Sequence, residues 1–208
     1  MEPTHRIDVI SDAICPWCWI GKRQLEIALA QLAEQGRTFS IHWRPFQLNP
    51  DMPAEGVERA AYRAAKFGSV TRGAELDANV AASGSGVGLE FRHDLMLRTP
   101  NTISAHRLIR WAGPRQNELV ELLFRAYFQE GQDIGDQAVL AGIAATLGLD
   151  ATAFLASNEF ADEVRAEDAT FRRMGISGVP SFALDGRVLF SGAYPAAHMV
   201  ELFTRQAA

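Results

Sequence analysis

The chain has 208 residues, of which 48% are hydrophobic and 22% charged, and its formal net charge is −5. This composition is typical of a globular protein and excludes a wholly disordered chain. The negative charge and the lack of a basic stripe argue against nucleic acid and anionic membrane surfaces as partners.

The sequence predicts neither a membrane span nor a signal peptide. No uncharged stretch approaches the roughly 18 apolar residues of a membrane-spanning helix. Residues 1–12 carry Glu2, Asp8 and Asp12 and lack the basic start and apolar run of a signal peptide. We therefore expect a cytoplasmic protein, either a monomer or a homodimer.

The first elements are predicted to be a strand, a helix and a second strand. The apolar run over residues 7–10 is typical of a strand buried on both faces. Pro16 suits the first position of a helix over residues 16–35, which Gly36 can end in the left-handed conformation. Alternating apolar residues over 39–43 predict a half-buried strand.

The middle of the chain is predicted to be helical from about residue 56 to residue 175. In its first helix, Val57, Ala60, Ala61 and Ala64 share one face. A glycine-rich break is expected over residues 79–88. Further helices are predicted over residues 102–111, 119–128, 139–147 and 160–174.

The end of the chain returns to strands. Residues 181–184 and 188–191 flank Asp185-Gly186-Arg187, which predicts a tight hairpin. A last helix is expected over residues 195–206.

The order of elements is therefore β-α-β, a helical block, and β-β-α, which indicates an α/β fold with a large inserted all-helical domain. We expect residues 1–52 and 172–208 to form the sheet domain, and residues 53–171 to form the insertion.

The chain has two cysteines, Cys15 and Cys18, in the sequence Cys-Pro-Trp-Cys. They stand between the first predicted strand and the first predicted helix. At a helix start the dipole and the free N–H groups stabilise a thiolate on Cys15, and Cys18 lies about one turn later on the same face. We therefore expect a redox pair in which Cys15 is the more accessible thiol.

The sequence does not predict a metal site. Two cysteines exclude a four-cysteine zinc site, and no two of the five histidines have the H-x3–5-H spacing.

Several segments carry a resemblance to a known family. Residues 12–22 around the Cys-Pro-Trp-Cys turn, 43–50, 101–108 and 175–182 are similar to the FrnE-type dithiol oxidoreductases of the DsbA-like superfamily. These segments are spread over nearly the whole chain. The resemblance implies a thioredoxin-like fold and a cytosolic enzyme that exchanges disulfides with protein or small-molecule thiols.

The resemblance also implies roles for particular residues. Cys15 is expected to be the nucleophile and Cys18 the resolving thiol, with no required cofactor and with glutathione as a candidate redox partner. The Val179–Pro180 bond is expected to be cis. The implied substrate-binding residues are Trp17, Asn49, His106, Val179 and Pro180.

Other interpretations of single residues remain open. His106 is expected over the active site, where it either serves the reaction or is a hydrogen-bonded structural histidine, and the structural role is favoured. The other four histidines are interpreted as surface or strand-face residues. Asp12 is expected either to cap the turn before Cys15 or to tune its thiol, and the capping role is favoured.

Two other functions compete with disulfide exchange. Glutathione-dependent 2-hydroxychromene-2-carboxylate isomerases and kappa-class glutathione transferases resemble this chain, but they have Ser where Cys15 stands. The third hypothesis is a binding module, which binds a partner but does not turn it over.

Overall fold

The computed structural model describes residues 5–207, so residues 1–4 of the expected N-terminal segment lie outside the described residues. The strands are β1 (His5–Ser11), β2 (Phe39–Pro45), β3 (Val57–Glu58), β4 (Arg98–Thr99), β5 (Ser181–Leu184) and β6 (Arg187–Ser191). The helices are α1 (Pro16–Glu34), α2 (Arg59–Phe67), α3 (Val70–Ser85), α4 (Ile103–Trp111), α5 (Gln116–Phe128), α6 (Gln137–Thr146), α7 (Thr152–Ala156), α8 (Ala161–Arg173) and α9 (Ala196–Gln206), with a 3-10 turn at Gly113–Arg115.

A four-stranded mixed sheet has the order β2-β1-β5-β6. Strand β1 is parallel to β2 and antiparallel to β5, which forms the hairpin with β6. Residues 7–11 of β1 are all buried, as a strand covered on both faces requires. On one side Ile7 and Val9 join the main core with α1 and α9, and on the other Ile10 packs in a smaller cluster with Phe46 and Ile176.

The predictions at the two ends of the chain are confirmed. Gly36 has φ 76° just after α1, in the left-handed region expected of a helix stop. Asp185 and Gly186 both have positive φ, 49° and 85°, as a type I′ hairpin turn needs. The fold is α/β and thioredoxin-like, with helices inserted between β2 and β5.

Two details of the predicted helical block are wrong. Val57 is not on a helix, because it pairs with Thr99 in the small antiparallel sheet of β3 and β4. The expected break over residues 79–88 is also wrong, because α3 continues to Ser85. A Cβ on Gly84 would lie 2.4 Å from the Phe91 ring, so this glycine permits close packing within a continuous helix.

The inserted helices are anchored on α1 by an aromatic cluster. Trp19 is 1% exposed, and its ring centroid lies 5.3 Å from that of Phe91, 6.2 Å from Phe124 and 5.9 Å from Phe128. Such offset and edge contacts add to the burial energy of the rings. The division into residues 1–52 with 172–208, and 53–171, stays a prediction.

Among residues 5–207, no helix combines the length and the apolar character needed to cross a membrane.

A pair of glycine substitutions tests how closely α1 approaches the Pro180 segment. In Gly21→Ala the new Cβ would lie 2.9 Å from Cγ of Pro180, a rigid ring, so the helix or the loop must shift. We expect the free energy of unfolding to fall by about 1–3 kcal/mol, the usual cost of overpacking. Urea denaturation followed by circular dichroism measures the change.

The matched control is Gly142→Ala on α6. Apart from the neighbouring residues and the backbone of α6 itself, a Cβ there meets no atom of the described residues within 4 Å. This variant should gain about 0.5–1 kcal/mol of stability from helix propensity alone. Equal gains from both substitutions would contradict the close contact at Gly21.

Candidate active site

Cys15 stands at the N-terminus of α1, where the backbone turns from strand to helix. It is the N-cap residue, with φ −92° and ψ 111°, and Pro16 follows at the first turn. The Cys15 N–H donates to the Asp12 carbonyl at 3.0 Å, and the Cys15 carbonyl accepts from the Cys18 N–H at 3.0 Å. The Cys15 side chain therefore lies at the positive end of the α1 dipole.

Cys18 lies one turn further along α1, inside the protein. Its side chain has no exposed surface, and both cysteines are free thiols. Burial raises the pKa of Cys18 well above its ordinary value, and the contact with the Cys15 thiol raises it further. Cys18 is therefore a protonated thiol at neutral pH, and the two cysteines are chemically unequal.

The segment before β5 lies directly beside the first cysteine. The Cys15 thiol is 3.5 Å from the Val179 carbonyl oxygen, to which it donates. The Val179–Pro180 peptide bond is cis. Pro180 is buried, and its ring approaches α1 at Gly21. Val179 therefore faces Cys15, whereas Pro180 packs against α1.

Access to Cys15 runs through a cavity. Cys15 is 4% exposed and Cys18 is fully buried, so the first cysteine is the more accessible thiol, as expected, and it opens into a partly open space. This space, here called the thiol cavity, has a volume of about 400 Å³. The cysteine turn lines it with Ile14, Cys15, Pro16 and Trp17, the segment before β5 with Gly178 and Val179, and α2 with Arg59, Tyr62, Arg63, Lys66 and Phe67.

The polar side chains of α2 are held by neighbours on two sides. Arg59 and Arg63 both pair with the Asp77 carboxylate of α3, at 2.8 and 2.7 Å. The Asn49 side-chain oxygen accepts from the Tyr62 hydroxyl at 2.7 Å and from the Lys66 ammonium at 3.1 Å.

Asn49, predicted to bind substrate, does not line the thiol cavity. It lies behind Tyr62 and Lys66, which do line the cavity, and its oxygen accepts from both.

His106 is not in the thiol cavity either. It is 4% exposed, and its Nε2 lies 3.1 Å from Oδ1 of the fully buried Asp12. It lines a second cavity of about 330 Å³ between α4, α5 and β2.

The other oxygen of Asp12, Oδ2, accepts from the Leu48 N–H at 2.7 Å. The predicted capping role of the Asp12 side chain is therefore wrong, since its backbone carbonyl serves the turn and its carboxylate joins the Leu48 loop to α4.

His93 is the histidine that reaches the thiol cavity, which corrects its interpretation as a surface residue. It is half-buried, and burial lowers its pKa, opposed by Asp77 and reinforced by Arg59 and Arg63.

The sequence interpretation also missed Arg59, Arg63 and Lys66. Their spacing of four and three residues places them on one helix face, and this signal was available in the sequence.

Comparison with known proteins identifies the family. A model of the DsbA-like thioredoxin domain matches residues 6–203. The chain belongs to the DsbA-like thioredoxin family. It is similar to the crystal structure of a protein described as a probable DsbA oxidoreductase from Streptomyces coelicolor, with 31% identity, a TM-score of 0.85, and coverage of 97% of this chain and 89% of that chain.

Two more distant structures share the fold. One is a 2-hydroxychromene-2-carboxylate isomerase, with 17% identity, a TM-score of 0.70, and coverage of 97% of this chain and 96% of that chain. The other is the cytosolic disulfide reductase DsbM from Pseudomonas aeruginosa with GSH, with 18% identity, a TM-score of 0.66, and coverage of 98% and 100%. Identities this low extend the likeness to the fold alone.

Removal of the His106 ring tests its structural role. His106→Ala leaves the buried Asp12 carboxylate without one of its partners and opens a void beside it. We expect the free energy of unfolding to fall by about 3 kcal/mol. Urea denaturation measures the loss, and His106→Gln, which keeps an amide donor, should recover part of it.

The rate of thiol exchange by the folded His106→Ala protein should stay close to that of the parent, because the ring lines a different cavity. Unchanged stability combined with a shifted pH profile of exchange would instead place His106 at the substrate.

Proposed function

We propose that this protein is a cytoplasmic dithiol–disulfide oxidoreductase in which Cys15 attacks the substrate disulfide and Cys18 resolves the product. The observation that supports this most directly is the arrangement of the two thiols on the first turn of α1. Cys15 opens into the thiol cavity, whereas Cys18 is buried behind it and contacts it. A nucleophile with a sheltered second thiol is the arrangement that thiol–disulfide exchange needs.

The reaction proceeds in two exchanges. The Cys15 thiolate attacks one sulfur of the substrate disulfide, the S–S bond breaks, and the first substrate thiolate leaves with the bonding electrons. Cys18 then loses its proton and attacks the Cys15 sulfur, which forms the Cys15–Cys18 disulfide and releases the second thiolate. The substrate gains two electrons, the protein loses two, and the leaving thiolates take protons from water.

The raised pKa of Cys18 gives these steps an order. A protonated Cys18 is a poor nucleophile, so it does not compete with Cys15 for the substrate. Once Cys15 is in a mixed disulfide, it has no free thiol left to contact Cys18. Cys18 is then the thiol nearest to the new disulfide bond. Val179 and Trp17, which line the same cavity, are placed to contact the substrate next to the reacting sulfur.

No resident cofactor is part of the proposal, and glutathione is a candidate redox partner. The structure of DsbM with GSH and its description as a cytosolic disulfide reductase support the choice of partner and compartment. The alternative is a glutathione-dependent isomerase or transferase of the 2-hydroxychromene-2-carboxylate isomerase type, whose structure shares this fold. That chemistry has no use for Cys18, whose placement against Cys15 favours exchange.

Trapping of the mixed disulfide tests the proposed function. In Cys18→Ser the first exchange remains but the internal exit is lost, so a substrate disulfide should accumulate on Cys15. Intact-mass spectrometry after incubation with glutathione disulfide should show one adduct that a reductant removes. The parent protein should instead show the internal disulfide.

The matched control is Cys15→Ser, which keeps one cysteine but loses the thiol at the cavity. It should form no adduct while folded, because Cys18 is buried and protonated. An adduct on Cys18, or none on either variant, would contradict the assignment. Turnover of a chromene substrate by Cys18→Ser at the parent's rate would support the isomerase.

A further inference from the structure

Most of the charged side chains that line the thiol cavity are positive. Arg59, Arg63 and Lys66 are cationic, whereas Asp77 is the sole carboxylate among the lining residues of the described chain. Burial lowers the pKa of His93, so this histidine is neutral at pH 7 and adds no positive charge. The cavity therefore carries an excess of positive charge beside the nucleophilic sulfur.

The single carboxylate does not neutralise the two arginines that share it. Asp77 lies within 2.8 Å of both guanidinium groups. Burial lowers the pKa of Arg63; Asp77 offsets part of this effect, and the neighbouring Arg59 adds to the lowering. A second anion in the cavity would stabilise both cations, because the Arg59 and Arg63 side chains are only 14% and 18% exposed and attraction between charges is stronger away from water.

Lys66 is the cation that is free to receive such an anion. Its side chain is exposed, and its ammonium group donates to Asn49 Oδ1 at 3.1 Å and to the Tyr62 hydroxyl at 2.5 Å and lies 5.1 Å from the centroid of the Tyr62 ring. Among the described residues no carboxylate pairs with it. These contacts hold the side chain at the cavity and do not neutralise its positive charge. Tyr62 also lines the cavity, and its hydroxyl can rotate to serve a ligand oxygen.

The remainder of the lining is apolar, and the space is small. Trp17, Phe67, Met96 and Val179 contribute hydrophobic surface between the cations and the cysteine turn. A volume of about 400 Å³ lies in the range of small-molecule sites.

We propose that the thiol cavity selects small disulfides and thiols that carry a carboxylate, with the anionic group held by Lys66 and the α2 arginines while the sulfur meets Cys15. This inference rests on the proposed exchange by Cys15 and names its substrate class.

Three small disulfides that differ mainly in charge test the selectivity. Dithiodipropionate is anionic, hydroxyethyl disulfide is neutral and cystamine is cationic. The second-order rate constant for oxidation of the reduced protein is measured with each probe, by the loss of free thiol. Each rate constant is divided by that for free cysteine with the same probe, which removes the intrinsic reactivity of the disulfide.

We expect the corrected rate constants to fall in the order anionic, neutral, cationic. The ratio between the anionic and cationic probes should shrink as salt is added, because salt screens charges that are partly open to solvent. Glutathione disulfide, which carries carboxylates, should be used as a fourth probe. Its rate constant should fall together with that of dithiodipropionate when Lys66 is replaced by Gln.

Substitutions of Lys66 separate its charge from its shape. Lys66→Gln should lower the anionic-to-cationic ratio by about 3- to 10-fold, and Lys66→Glu should lower it further. Lys66→Arg should keep the parent's ratio. Arg37→Gln, which removes the same charge after the end of α1 and outside the thiol cavity, is the control and should leave the ratio unchanged.

The outcomes distinguish the two proposals. If the protein reacts with all probes but shows no preference for the anion, or Lys66→Gln changes the ratio no more than Arg37→Gln, the inference about substrate charge is wrong and the exchange function stands. If no probe oxidises the Cys15–Cys18 pair in the folded protein, the exchange function itself is wrong.

Discussion

The packing of Trp19 against the inserted helices is the contact on which the site depends. This residue follows Cys18 directly, so the contacts that fix its ring also fix the first turn of α1. Its ring stacks on Phe124 and Phe128 and meets Phe91 edge-on, and its Nε1 donates to Glu121 at 3.3 Å. The sheet side supplies the cysteines and the Val179 segment, and the insertion supplies the α2 wall. The thiol cavity exists because this contact holds them together.

The second constraint is the unequal environment of the two thiols. The helix start places Cys15 at the positive end of the α1 dipole and beside the thiol cavity, whereas the next turn buries Cys18 and raises its pKa. The buried Asp12 supports the same turn, because its carbonyl receives the Cys15 N–H and its carboxylate binds the Leu48 N–H. A buried carboxylate with these partners stabilises one conformation of the turn and the loop that follows β2.

Local patterns in the sequence predicted the elements that build the sheet and the cysteine turn. The apolar run before Cys15, Pro16 at the helix start, Gly36 and the Asp185-Gly186 turn each have a local physical cause, and each is found as expected. The errors lie where a tertiary contact decides. Gly84 lies in the segment predicted to break the helix, but its packing against Phe91 lets α3 continue. The packing of the inserted helices also decides that His93 lines the thiol cavity and His106 the second cavity.

The central claim is that Cys15 and Cys18 form a reversible disulfide in the folded protein. Equilibration in glutathione buffers of graded potential, followed by acid quenching, alkylation and intact-mass spectrometry, measures it directly. The predicted result is one two-electron transition between the dithiol and the internal disulfide, between about −270 and −120 mV. A pair that stays reduced across this range, or acquires only a glutathione adduct that never converts to the internal disulfide, would contradict the claim.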